Sequence, residues 1–271
     1  MLGRVIKYDI KALSRYMLPI FALSLISAIL LRIDLSLQGS FGENFATNTV
    51  NFISILLFVL AIIALSVGSF VVYIIYFYKS TLGEQGYFYM TLPATADEYL
   101  IGKLISGAIV ILSTIIVAFA SGALVVVFSP NFKEVFDIIS QSFKDFFTYI
   151  PFGRYGISFT IGLILSLFST QLMVAFCILS GQLLGKKKIL GAFLAYIVLQ
   201  CVEGFIGQIC MLITIGTSDL TKMTMDSAND FSVFAGLFSK ISTLSLITSI
   251  IIMTGEYFVA RYFLSKKLNL E

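Results

Sequence analysis

Few residues in this chain could do chemistry inside a membrane. Glu203 stands near the middle of a long apolar run, with Gln200 about one turn before it and Gly207 about one turn after. A carboxylate at that depth costs about 2.5–3.5 kcal/mol on insertion scales, so it must face protein or water, not lipid. Gln171, on a neighbouring apolar run, and Gln208 are its candidate hydrogen-bond partners. Two roles fit this set. Gln171, Gln200, Glu203 and Gln208 could line a transport path or subunit interface, or Glu203 could be a hydrogen-bonded acid that fixes helix packing. Glu256 lies closer to the end of its apolar run, where snorkelling or a contact with a loop is easier, and reads as structural.

Catalytic constellations are missing from the pattern. The chain has no histidine, which excludes His-based catalysis and His metal ligation. No aspartate is central to an apolar run, as paired-aspartate proteolysis would need, and no convincing Ser–Lys pair stands in for a serine nucleophile. Cys177, Cys201 and Cys210 all fall inside apolar runs and read as small buried residues, not as a disulfide, zinc or redox set. The run Gly181–Lys188 superficially suggests a phosphate loop. Only three residues separate its glycines, however, where the Walker spacing needs four before the Lys-Ser/Thr step. No metal site and no cofactor bound by this chain is therefore expected.

The elements that must hold these residues are membrane helices. Only 12% of the 271 residues are charged, against about 25% in an ordinary soluble domain. Asn44–Tyr78, Leu104–Phe132 and Tyr155–Gly185 carry no Asp, Glu, Lys or Arg, and Ile189–Ser218 carries only Glu203. A helix needs roughly 20 apolar residues to cross a hydrocarbon core of about 30 Å. Six spans follow, at about 16–37, 50–78, 104–128, 155–184, 189–215 and 241–264, in an all-α integral membrane fold of one domain over 1–271. Continuous apolar runs argue against a β-barrel, whose strands alternate. The first run begins too late for a signal peptide and continues as a full span. Twelve of the eighteen Lys and Arg residues collect on one side, Arg4, Lys79, Lys103, Lys186 and Lys267 among them. The positive-inside rule then places both termini in the cytoplasm of a multi-pass cell-membrane protein. The net charge of +3 expresses that bias and not a nucleic-acid footprint.

Three further segments have readable patterns. In residues 2–15, Arg4, Lys7, Lys11 and Arg15 fall within about 80° of arc, with Ile6, Ile10, Leu13 and Met17 opposite. This predicts an amphipathic elbow helix lying in the headgroup layer, the alternative being a plain extension of the first span. Between spans three and four, Phe132, Phe136, Ile139, Phe143 and Phe147 recur at helical spacing with charged residues between them. They predict an amphipathic helix over 131–151 on the outer side. Tyr73, Tyr76, Phe77 and Tyr78, at the end of span two, suit an interfacial aromatic belt, and Phe231–Phe238 suits a short interfacial or re-entrant helix before the last span.

The longest polar segment on the basic side is Lys79–Lys103, KSTLGEQGYFYMTLPATADEYLIGK. Helix–helix connections usually take about 2–8 residues, and this one takes about 24. Gly83 and Gly86 break the preceding helix, and Thr91-Leu92-Pro93 turns the chain. Thr95 with Glu98 predicts a capping box that starts a helix leading into span three. Glu84, Asp97 and Glu98 add acidic character to an aromatic surface at Tyr87 and Phe88.

The same segment resembles a family. GEQGYFYMTLPATADEYLIGKLISG is similar to the G-x-x-GY…TLP…K stretch between spans two and three of ABC-2 type exporter permeases, the bacterial permeases linked to bacitracin, lantibiotic and other peptide export or immunity. The resemblance implies a permease subunit that pairs with itself or a sister permease and binds two ATP-binding cassette ATPase subunits, ATP and Mg being held by those partners. It further implies that Gly83, Glu84, Gly86, Tyr87, Phe88, Thr91, Leu92, Pro93, Asp97 and Glu98 form the element coupled to the ATPase. The substrate class it implies is an amphipathic peptide or lipid, with no enzyme activity in this chain and no nucleic-acid partner. Some ABC-2 exporters concentrate re-entrant structure between spans five and six, whereas the clearest outer helix of this chain is predicted between spans three and four. From another class, an ATP-independent transporter or channel would use Glu203, and a membrane scaffold or sensor subunit is a third reading.

Overall fold

The fold is given by a computed structural model, which describes residues 2–41, 45–83, 86, 95–127, 133, 136–138, 140–142, 144, 152–216 and 227–266. Every regular element among them is helical: α1 (Leu2–Phe41), α2 (Phe45–Thr81), α3 (Ala96–Val127), α4 (Phe152–Ser180), a 3₁₀ turn (Gly181–Lys187), α5 (Lys188–Gly216) and α6 (Ser227–Lys266). Six helices are long and apolar enough to cross a membrane. At most 33% of the most apolar stretch of any of them is buried within the chain. Phe52, Phe119 and Ile189, for example, point outward with two thirds or more of their surface bare. Apolar side chains turned outward over that length need lipid or other membrane helices around them, so the chain is a multi-pass membrane protein.

The chain divides into two compact units, Met1–Gln141 and Ser142–Glu271. In the first, α1, α2 and α3 pack on one another. Ile20 of α1 meets Gly68 of α2, and Asp9 meets Tyr76, so these helices run antiparallel. Val5 lies against Gly102 of α3, and Leu13 and Met17 pack with Val110, so α1 and α3 run parallel. A Cβ at Gly102 would stand 3.1 Å from Val5 Cγ1, which shows how closely α1 and α3 approach. The core here is Leu13, Met17, Tyr76 and Val110, flanked by Ala12, Phe21 and Val72.

In the second unit α4, α5 and α6 pack on one another. The turn between α4 and α5 depends on two glycines. A Cβ at Gly181 would lie 2.6 Å from the Ala192 amide nitrogen, and one at Gly191 would lie 2.5 Å from the Gly181 carbonyl oxygen. Gly185, at φ 58°, turns the chain between them. Gly162 of α4 touches Leu246 of α6.

Several sequence expectations change. Residues 2–15 do not form a separate element, because α1 runs without a break from Leu2 to Phe41, with Pro19 inside it. At 1.5 Å per residue this is about 60 Å, twice the hydrocarbon core. The reason is packing: Val5, Asp9, Leu13 and Met17 form a buried stripe that holds the helix against α2 and α3, while Arg4, Lys7, Lys11 and Arg15 stay exposed as expected. Residues 231–238 likewise belong to the continuous α6, not to a short helix of their own. Of the expected outer helix over 131–151, the described residues are helical, and Phe136 and Ile138 are exposed; the remainder lies outside the described residues.

Candidate functional site

The 79–103 segment proves shorter as a connection than its polar length suggests. Helix α2 continues to Thr81 and α3 begins at Ala96, leaving residues 82–95 between them. The start of α3 is the predicted capping box. The Glu98 amide donates to Thr95 Oγ1 and the Thr95 amide to Glu98 Oε2, each at 3.2 Å. These bonds satisfy amides that the helix itself leaves open. Asp97 and Glu98, half-buried in the first turn, also suit the positive end of the helix dipole. At the other end Gly83 follows α2 where a Cβ would lie 2.6 Å from the Lys79 carbonyl oxygen, and the buried Gly86 donates its amide to Gly83. Glu84, Tyr87, Phe88, Thr91, Leu92 and Pro93, all expected to take part in coupling, lie outside the described residues.

Where the two helices flanking this connection meet α1 is a buried polar cluster that sequence reading missed. Lys103 Nζ donates to Asp9 Oδ1 at 2.8 Å, and both side chains are fully buried. Tyr76 hydroxyl donates to the same carboxylate oxygen, and Lys103 Nζ lies 3.3 Å from that hydroxyl and 4.4 Å from the ring centroid of Tyr76. Tyr73 hydroxyl donates to the Lys103 carbonyl at 3.3 Å. One turn further out, Tyr99 hydroxyl donates to the Ser80 carbonyl at 3.1 Å and shares a 3.0 Å hydrogen bond with Thr81 Oγ1. Every link joins two of the three helices. Asp9 comes from α1, Tyr73, Tyr76, Ser80 and Thr81 from the end of α2, and Tyr99 and Lys103 from the start of α3.

Charge explains why the cluster is shut. Removing an ammonium and a carboxylate from water costs several kcal/mol each, which only close pairing and further hydrogen bonds recover. The Tyr76 hydroxyl and the cation–π contacts of Lys103 with the Tyr76 and Tyr99 rings, at 4.4 and 5.5 Å, supply extra partners. The tyrosines accordingly do not form the expected interfacial belt: Tyr73, Tyr76 and Phe77 are buried inside the first unit, and Tyr78 alone of the four is half-buried. The result is a tie that fixes both ends of the 82–95 connection to each other and to α1.

In the second unit the structure joins only some of the predicted polar residues. Gln200 Nε2 is 3.3 Å from Glu203 Oε2 and 3.3 Å from Met173 Sδ of α4. Gln208 is exposed and separate from that pair. Gln171 is buried, and its Oε1 has no hydrogen-bond partner among the described residues. Glu256, read as structural, is 4% exposed, and neither carboxylate oxygen has a hydrogen-bond partner among the described residues. It lies within electrostatic range of Glu203. Glu203 and Glu256 thus face one region of the α4–α6 unit, where sequence reading had placed a single central acid. No group of three or more acids and cysteines suited to a metal ion occurs among the described residues.

No protein-family model, no curated protein and no solved structure matches this chain.

Proposed function

We propose that this chain is the transmembrane permease subunit of an ATP-binding cassette exporter of the ABC-2 type. It would couple ATP hydrolysis by separate ATPase subunits to export of an amphipathic peptide or lipid. Both termini face the cytoplasm in this reading, two ATPase subunits hold ATP and Mg, and a second permease, identical or related, completes the path. The observation that carries the reading is the buried tie between the helix ends that flank the 82–95 connection. The GY…TLP pattern that resembles the coupling segment is held at both ends by Thr81–Tyr99, Tyr99–Ser80 and the Lys103–Asp9 pair. A push on the connection is therefore shared at once by α1, α2 and α3, as a lever needs. Replacing Tyr87, Phe88 and Leu92 together with aspartate tests the assignment. Stimulated ATP hydrolysis and transport are lost while membrane insertion is retained. Persistence of both activities would remove the connection from the coupling role.

One observation favours a second reading. Glu256 is buried without a hydrogen-bond partner among the described residues and interacts electrostatically with Glu203, which gives an ion-coupled transporter or channel two acids to work with. Glu203→Gln and Glu256→Gln discriminate the two. Loss of a proton-dependent flux that needs no ATP supports the ion-coupled transporter. An ATP-driven flux unchanged by either variant supports the exporter.

A further inference from the structure

A groove of about 460 Å³ runs between the first part of α1 and the last part of α2, within the size range of about 300–1,000 Å³ common for ligand sites. Lys11, Arg15 and Lys79 stand on it, with no carboxylate among its lining residues. None of these cations pairs with a carboxylate among the described residues. The floor is Ala12, Val72 and Ile75, and Tyr8 and Tyr16 stand at its sides, 64% and 56% exposed.

The groove sits where charge stops along both helices. Arg15 is the last charge before the uncharged run Tyr16–Leu31, and Lys79 is the first after the uncharged run Asn44–Tyr78. The cations therefore mark the level at which hydrocarbon gives way to headgroups. We propose that this groove is a binding site for an anionic phospholipid, its phosphate and headgroup held by Lys11, Arg15 and Lys79 and its upper acyl chain laid along Val72 and Ile75. A soluble anion would satisfy the cations but leave the apolar floor and the exposed tyrosine rings wet. A phospholipid covers both. Tyr76 links the site to the rest of the unit: it lines the groove, and its hydroxyl bonds Asp9. A lipid in the groove thus rests against the tie that holds α1, α2 and α3. The site requires only that the chain spans a membrane, and does not depend on the exporter reading.

The test uses the full chain in mild detergent, with retained lipid counted by native mass spectrometry after addition of phosphatidylglycerol or phosphatidylcholine. Wild type retains one phosphatidylglycerol with at least about a tenfold preference over phosphatidylcholine, as expected when three cations meet one anionic headgroup. Lys11→Ala/Arg15→Ala/Lys79→Ala abolishes the preference. Arg4→Ala/Lys7→Ala removes cations from the same helix outside the groove and leaves the preference intact. Ile75→Trp fills the floor while keeping all three cations, and lowers retention at unchanged net charge. Millimolar inorganic phosphate does not displace the lipid. Equal retention of both lipids would overturn the proposal, as would equal loss in the Arg4/Lys7 variant, which means diffuse attraction. Displacement by phosphate would also overturn it, because the site would then be one for a soluble anion.

Discussion

Removing the Lys103 ammonium should cost far more than removing an ordinary surface charge. Lys103 and Asp9 are both fully buried and 2.8 Å apart. In Lys103→Met the apolar stem keeps its packing, but the Asp9 carboxylate loses its cation while still accepting from the Tyr76 hydroxyl. Breaking one side of a buried pair typically costs about 3–5 kcal/mol, a large part of a total stability of about 5–15 kcal/mol. With roughly 2–4 °C lost per kcal/mol in chains somewhat shorter than this one, the apparent melting temperature in detergent should fall by roughly 6–20 °C. Asp9→Leu alone strands the ammonium and should cost about as much. The double variant Asp9→Leu/Lys103→Met buries no uncompensated charge and should recover most of the loss, since well-packed apolar replacements of buried pairs are often neutral. A double-mutant cycle followed by thermal unfolding checks this, with a coupling energy of about 2 kcal/mol or more expected. Single variants within about 1 kcal/mol of wild type, or a double variant as unstable as the two losses added, would refute the buried tie.

Two local predictions follow from the same structure. Thr95→Ala removes the cap of α3 and should cost about 1 kcal/mol; hydrogen exchange at the amides of residues 97–100 should quicken, while exchange in the middle of α3 is unchanged. Gly181→Val places a side chain where a Cβ already lies 2.6 Å from the Ala192 amide nitrogen, so it should destabilise the α4–α5 turn by about 1–3 kcal/mol. Gly204→Val, with nothing within 4 Å of its added Cβ, is the matched control for thermal unfolding.

What could be read from residues alone was whatever periodicity and local spacing encode. The uncharged runs located the six spanning helices, because a bilayer excludes charge over a fixed length. The Thr95–Glu98 capping box was visible because both partners lie three residues apart. The Asp9–Lys103 pair was invisible for the opposite reason: its partners are 94 positions apart in the chain. Asp9 stands among Arg4, Lys7, Lys11 and Arg15 and was given no role, and Lys103 passed as a topology marker. One signal did exist. Asp9 lies four residues from both Val5 and Leu13, so it occupies the apolar stripe of its own helix, where an acid needs a buried cation. Glu256 was read as structural, but its burial was not legible, because distance from a helix end says little about which way a side chain faces. Its burial comes from packing among α4, α5 and α6.

In the proposed function the connection anchored by this tie receives an ATPase. Purification of the full chain from its native membrane in mild detergent, with the co-purifying proteins identified, tests it most directly. The expected result is an ATP-binding subunit with a P-loop, present at about one copy per permease, whose recovery collapses when Tyr87, Phe88 and Leu92 are replaced by aspartate and survives Gly204→Val. Purification with no ATP-binding subunit, or equal recovery with the aspartate variant, would contradict it.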